Sequence, residues 1–396
     1  MTRALADVVV VDMTTAFWAS LGVALLGDFG AEVIKIDKLP EARERRLDGG
    51  DQPPGPSWNY DFELASRNKL SLAVNLDAAQ GRQILERLVR QADVFITDAP
   101  FALLHEQGLD YERLAGLKPD IIYARASGFG PKGPDRDLPA LDELAAARTG
   151  MMPILPQPGQ PPVYTGAGQM YTTVMLAFGV MAALCHREQA GEGQEIDVSL
   201  FAGNMYGASL DIQAYLAILG ERFLHPVSRL DAGNPMSGTL YPTEDGRWVT
   251  LTMPDTDRWW PALAEVVGLD PADPRFDSHE KRCEVNRIEL IQLFEEAFQR
   301  RAAAYWRAVF NERQMSADVI EDYAYPANDA PAMRNEFIIE MGGKKSLGFP
   351  LFMSDTPARL DRGSPRLGEH SAEVLGGRLG YSEDEVVQLQ AAGVVA

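Results

Sequence analysis

The chain reads as an α/β protein with a Rossmann-like large domain and a smaller α+β domain. Three observations predict this. Short apolar, β-branched runs alternate with amphipathic helical stretches over the first ~130 residues. The pattern then turns to long helices between Pro139 and Leu224. Past the loop-forming run Asp231-Ala232-Gly233-Asn234-Pro235, a hairpin and three helices follow without further strand–helix alternation.

Taken in order, Val8-Val9-Val10-Val11 predicts the first strand, residues 19–29 a helix stopped at Gly30, and residues 32–37 (EVIKID) the next strand. A second unit repeats the logic. Leu72 to Leu76 is strand-like, residues 80–91 place Ile84, Leu85, Leu88 and Val89 on one helical face, and Val94-Phe95-Ile96 returns to strand. Ile121 to Ala124 is a further buried strand, and residues 170–185 and 199–219 are the two long helices. The segment 238–253 reads as a hairpin turning at Asp245-Gly246, with helices over 257–267, 285–299 and 302–312. Composition therefore places a domain boundary near residue 225, followed by a small α+β unit of about a hundred residues. Short strands at 345–347 and 352–353 and a helix from Ser382 close the sequence.

The whole is 396 residues, 46% hydrophobic and 24% charged, which suits a globular chain with sizeable cores. Two cysteines, Cys185 and Cys283, cannot build a disulfide framework, so a reducing, cytoplasmic setting is expected. The apolar run Val174 to Leu184 is shorter than the ~20 residues of a spanning helix and predicts a buried helix, not a membrane segment. With 57 acidic against 37 basic side chains the formal charge is −20, and no Lys/Arg run exceeds Arg45-Arg46. Nucleic acid and anionic membrane surfaces are poor partners for such a chain.

Local motifs leave function open. Gly128-Phe129-Gly130-Pro131-Lys132-Gly133 fits the dinucleotide-binding spacing, but Pro131 and Pro134 prevent the helix start that receives a pyrophosphate, so it reads as a turn. No catalytic Ser-His-Asp signature and no His/Cys cluster with metal spacing occurs. Cys185-His186 reads as packing and a cap. Adjacent acids such as Asp142-Glu143 point about 100° apart on a helix and make a poor shared-proton dyad.

Five segments, in order and nearly end to end, resemble the class III CoA-transferase family, which includes formyl-CoA and carnitine CoA-transferases and the related α-methylacyl-CoA racemases. They are VVDMTTAFWASLGVALLGDFGAEVIKID (10–37), NKLSLAVNLDAAQGRQILERLVRQADVFI (68–96), DIIYARASGFGPKGPDRD (120–137), LAFGVMAALCHREQAGEGQEIDVSLF (176–201) and PRLGEHSAEVLGGRLGYSEDEVVQLQAAGVV (365–395). The resemblance implies a Rossmann-like domain assembled from both chain ends, an inserted small domain, and two subunits threaded as interlocked rings. It also implies acyl-CoA and a carboxylic acid as substrates, with no metal and no tightly bound cofactor.

In that family an aspartate in the loop before the long helix attacks the thioester, and CoA passes through anhydride and aspartyl-CoA intermediates. Counting back without a gap from Ala182-Ala183-Leu184 and His186-Arg187-Glu188 puts that position at Gln169. A neutral carboxamide is a weak nucleophile and forms no reversible anhydride. No Asp or Glu occurs anywhere from Met151 through His186, so a shifted register recovers none. The racemases' histidine and aspartate positions read Leu141 and Gln169.

CoA phosphates want Lys or Arg donors, and the resemblance leaves Lys38, Lys69 and Arg45 or Arg46 for them, with Phe17 and Trp18 near the thioester region. The family's Asn-Lys-Arg and acidic-Asn-Phe stretches read here as Asn68-Lys69-Leu70 and Thr97-Asp98-Ala99. The expectation is a subunit without its own nucleophile that works with a catalytic paralogue, closest in character to the heteromeric succinyl-CoA:benzylsuccinate type. The alternatives are a self-sufficient transferase using another carboxylate, Asp142 or Glu143, or a non-enzymatic acyl-CoA-binding protein.

Overall fold

The computed structural model describes residues 3–39, 59–218, 224–231 and 233–396. It separates into two compact units, Met1–Met152 with Tyr164–Leu219 and Ala330–Ala396, and Pro153–Val163 with Gly220–Asp329. The segment 153–163, which the expected bounds of 1–224 and 326–396 place in the large domain, groups with the second unit.

In the first unit the elements run β1 (Val9–Met13), α1 (Phe17–Asp28), β2 (Glu32–Lys38), α2 (Tyr60–Ser66), β3 (Lys69–Val74), α3 (Ala79–Val89), β4 (Val94–Thr97), α4 (Phe101–Gln107), α5 (Tyr111–Leu117) and β5 (Ile122–Ser127). Then come α6 (Asp142–Ala146), α7 (Ala167–Ala190), β6 (Gln194–Ser199), α8 (Leu200–Gly207) and α9 (Ser209–Ile218). The strands form one sheet in the order β3-β2-β1-β4-β5-β6, and every pairing is parallel.

Helices cover both faces, so the central strands are buried on both sides and read as unbroken apolar runs. Val11, Ile34, Leu72 and Phe95 feed one core with α3, whereas Val10, Val33, Val94 and Ile122 feed the other with α1 and α7. The chain's end closes this unit. Asn75 donates to the Val394 carbonyl at 2.8 Å and Ala396 to Ala73 at 3.1 Å, adding the tail to the edge of β3. The hairpin Ile338–Met341 with Lys344–Leu347 is tied to α1 through Arg67, whose guanidinium meets Asp28 at 2.7 Å and the Leu347 carbonyl at 2.6 Å. Both chain ends thus build one unit.

Four features differ from expectation, the first being that residues 352–353, expected as a strand, form none. Strand β6 has a polar sequence because it lies at the sheet's edge, where only Val198 and Ser199 are buried. The predicted helix 199–219 is interrupted at Ala208, between α8 and α9. The expected buried helix, α7, is only half-buried: Gly168, Thr172, Leu176, Val180 and Leu184 pack inward, while Val174 and Phe178 are 54% and 72% exposed in the single chain. Among the described residues α7 alone is long and apolar enough to cross a membrane, by length and composition only.

The second unit holds an antiparallel sheet of Ser237–Pro242, Trp248–Thr252 and Ala317–Ile320 with the helices Thr256–Val267, Arg287–Phe298 and Ala303–Glu312. Gly246, at φ 74°, takes the left-handed position the hairpin turn demands. Tyr241, Phe294, Phe298, Trp306 and Phe310 form its aromatic core.

Candidate active site

In an open parallel sheet, chemistry gathers where strands end and helices begin. A cleft of about 390 Å³ opens beyond the carboxyl ends of β1 and β2, lined among others by Thr14, Phe17, Ser20, Lys35, Lys38 and Ser66. Beneath it lies a buried ionic cluster. Asp12, at the end of β1, accepts from the Thr14 backbone N–H and hydroxyl at 2.8 and 2.6 Å, and from Lys69 at 2.7 Å. Lys69 gives its remaining protons to the carbonyl and hydroxyl of Ser20, both at 2.8 Å.

Lys69 is therefore not the phosphate contact expected from the sequence: its ammonium is fully buried, and its three donors are spent inside the protein. Burial pushes its pKa down to about 8 against the attraction of Asp12. Lys35, which sequence reasoning passed over, lines the cleft instead and donates to the Thr14 carbonyl at 2.9 Å. The signal was there in EVIKID, where Lys35 and Asp37 alternate with Ile34 and Ile36. Lys38 lines the same cleft. Arg45 and Arg46 lie outside the described residues.

Trp18 is 3% exposed and packs in the core with Ala19 and Val180, its indole N–H without a hydrogen-bond partner among the described residues, whereas Phe17 lines the cleft. At the start of α1 the backbone N–H groups of Thr15 and Ala16 donate to Asp98 at 2.7 and 2.6 Å. This is the switch point between β1 and β4, where a dinucleotide fold seats a pyrophosphate, and here a carboxylate from the end of β4 fills it. Burial pushes the Asp98 carboxyl up, while the two N–H groups pull it down. The glycine motif at 128–133 forms a loop without a helix, as its prolines predict.

Gln169 stands in the first turn of α7. Its carboxamide is half-buried and has no hydrogen-bond partner among the described residues, while its carbonyl accepts from Thr173 at 2.9 Å. The Thr173 hydroxyl also reaches the Trp18 carbonyl at 2.8 Å, so this turn is tied to the start of α1. A side chain at Gly168 would meet Asn204 of α8 at 2.1 Å, so glycine there lets the helices approach.

Asp142 opens α6 and is 9% exposed. Both its oxygens are engaged, one with the Tyr164 hydroxyl and one with Asn204, each at 2.7 Å. A carboxylate so clamped presents no free oxygen to a thioester, which argues against it as the replacement nucleophile. Glu143 beside it is exposed. No group of three or more His, Cys, Asp or Glu able to hold a metal occurs among the described residues.

The sequence profile of CoA-transferase family III matches residues 5–371. Along 404 residues the chain is 30% identical to an (R)-2-hydroxy-4-methylpentanoate CoA-transferase of Clostridioides difficile, covering 99% of both. It is 27% identical to a cinnamoyl-CoA:phenyllactate CoA-transferase of Clostridium sporogenes over 401 residues, 98% of this chain and 96% of that one. A succinyl-CoA–L-malate CoA-transferase beta subunit of Chloroflexus aurantiacus is 28% identical over 417 residues, 100% of this chain and 98% of that one. Among solved structures, a CAIB/BAIF family protein from Brucella suis superposes with a TM-score of 0.83 at 26% identity, covering 95% of this chain and 100% of that one. The chain belongs to CoA-transferase family III, whose members take CoA thioesters as substrates.

Proposed function

We propose that this chain is a subunit of a class III CoA-transferase that moves CoA between an acyl-CoA donor, such as succinyl-CoA, and a carboxylic acid. In this reading it lacks the nucleophile and works beside a paralogue that carries one. The observation behind it is Gln169: the position that should supply a carboxylate holds an amide, and the stretch from Met151 through His186 contains no acid at all. Asp142, the nearest alternative, is held by Tyr164 and Asn204.

Two further facts support a partner. Tyr171, Val174 and Phe178 on α7, with Tyr206 on α8 and Leu210 on α9, are exposed apolar side chains in the single chain, as expected of a surface covered by a second chain. A relative across nearly its whole length is named as a beta subunit. The interlocked rings of the family, and its assembly of the large domain from 1–224 and 326–396 around a 225–325 insert, belong to the same proposal.

Expressed alone and supplied with succinyl-CoA and a panel of carboxylic acids, the purified chain should show no transfer above background. Co-expressed with a paralogue bearing aspartate at the position of Gln169, it should form a stable mixed complex that transfers CoA. A homodimer turning over at ordinary enzymatic rates would overturn the reading.

A further inference from the structure

We infer that the cleft beyond β1 and β2 is a carboxylate site anchored by Lys35, where an acid substrate docks by its free carboxylate. Only the naming of that carboxylate's owner as a substrate rests on the function proposed above. The cleft holds about 390 Å³, room for a small ligand, and Lys35 lines it from β2 while being only 8% exposed. Of the three N–H donors of its ammonium, one goes to the Thr14 carbonyl at 2.9 Å, and among the described residues it makes no other hydrogen bond and no ion pair. The Asp12 carboxylate on the adjoining β1 is bonded to Lys69 and Thr14 instead. A desolvated ammonium with unspent donors is costly, and an anionic oxygen supplied by a ligand offsets that cost. The same wall holds a second unspent group. Ser66, at the end of α2, is 1% exposed, and its hydroxyl has no hydrogen-bond partner among the described residues.

An ammonium only donates, so the group it selects is an acceptor, and by its charge a negative one. The surrounding charges then favour a carboxylate over a phosphate. Among the described residues that line the cleft, Lys35 and Lys38 stand against Asp37 and Asp61, and Asp98 lies behind Thr15, 3.2 Å from its hydroxyl. A ligand with a single negative charge completes the shell of Lys35 against modest repulsion. A phosphate group carrying a charge of about −2 doubles that repulsion from three carboxylates, in a partly buried place where salt screens poorly. The start of α1, whose backbone N–H groups would otherwise receive a phosphate, is already filled by Asp98. Phe17, Ile36 and Phe62 give the cleft an apolar wall for the carbon chain of the acid.

The test is a ligand-observed NMR titration of the purified full chain with succinate, its neutral analogue succinamide, inorganic phosphate and 3′,5′-ADP, the last carrying the nucleotide phosphates of CoA without its thiol. Succinate should bind, and the other three more weakly. Lys35→Met should weaken succinate about tenfold or more, as expected for one lost charge-assisted hydrogen bond, and Ser66→Ala about threefold. Urea unfolding of both variants shows whether the fold survives, and Ser66→Ala, which removes no charge, decides the matter if Lys35→Met does not fold. No binding of succinate, succinamide binding as well as succinate, or unchanged affinity in the deciding variant would each overturn the inference. Phosphate or 3′,5′-ADP binding more tightly than succinate, with Lys35→Met abolishing it, would overturn the choice of a carboxylate and make the cleft a phosphate seat. Turnover does not enter the measurement. A chain that transfers CoA alone and binds succinate through Lys35 sinks the subunit reading and spares this one, and a silent chain that binds no succinate does the reverse.

Discussion

Two polar clusters of the first unit, built from similar side chains, end up opposite in character. Under the cleft, Asp12, Lys69, Thr14 and Ser20 are buried, and the Asp12 and Lys69 charges are matched to each other. Ahead of α7, Gln169 and Tyr164 are partly exposed, and the carboxamide is unmatched. The buried cluster has no capacity left for a ligand and contributes to the fold, since a desolvated charge persists only with its partner. The other keeps hydrogen-bonding capacity that no described residue uses. A basic residue at a plausible position is thus a weak sign of a phosphate site until its donors are counted, as Lys69 and Lys35 show from neighbouring strands.

The largest effect expected is on the buried side of this contrast. Asp12→Ala strands the Lys69 ammonium without a counter-charge and should cost ~3–5 kcal/mol of stability, read from urea unfolding. The double variant Asp12→Leu with Lys69→Met should cost clearly less than the single. A near-neutral Asp12→Ala would erase the distinction between the clusters.

Next in size is a pH dependence. Lys69 titrates near 8 when folded and near its ordinary 10.5 when unfolded, so between those values the unfolded chain binds the extra proton. Its unfavourable contribution is fully present below pH 8 and is relieved as pH rises to 10.5. Relative to Lys69→Met, the wild type should therefore gain about 3 kcal/mol across that window, measured by denaturation at each pH. A flat difference would mean that the ammonium is better matched than its burial implies.

The smallest effect tests the turn. Gly168→Ala drives a methyl into Asn204, a contact of 2.1 Å without relaxation, and should cost ~1–3 kcal/mol by overpacking. Urea unfolding of the variant reads this loss. An unchanged unfolding midpoint would mean that Asn204 gives way without cost and that glycine is not required at this approach.

The legibility of the fold varied with burial. β1 and β4 were visible as apolar runs because both their faces are covered, and α3 because one stripe, Ile84, Leu85, Leu88 and Val89, faces the sheet. β6 was invisible because an edge strand carrying Gln194, Glu195 and Asp197 lacks that pattern. At the site, Gln169 and the acid-free stretch around it were legible, because an absence in a sequence needs no geometry. The surroundings of Lys69, Trp18 and Asp142 were not legible, because their neighbours, Asp12, the α1–α7 core and the pair Tyr164 and Asn204, are distant in sequence.

Composition and periodicity thus establish the alternating α/β chain, and the lack of acids between 151 and 186 establishes that the segment leading into the long helix contributes no carboxylate of its own. Which of the remaining polar groups is spent and which stays available came only from the folded arrangement. Hydrogen-bonding capacity is consumed by neighbours in space, and the bonds that consume it here link residues 57 positions apart at Lys69–Asp12 and 62 apart at Asn204–Asp142.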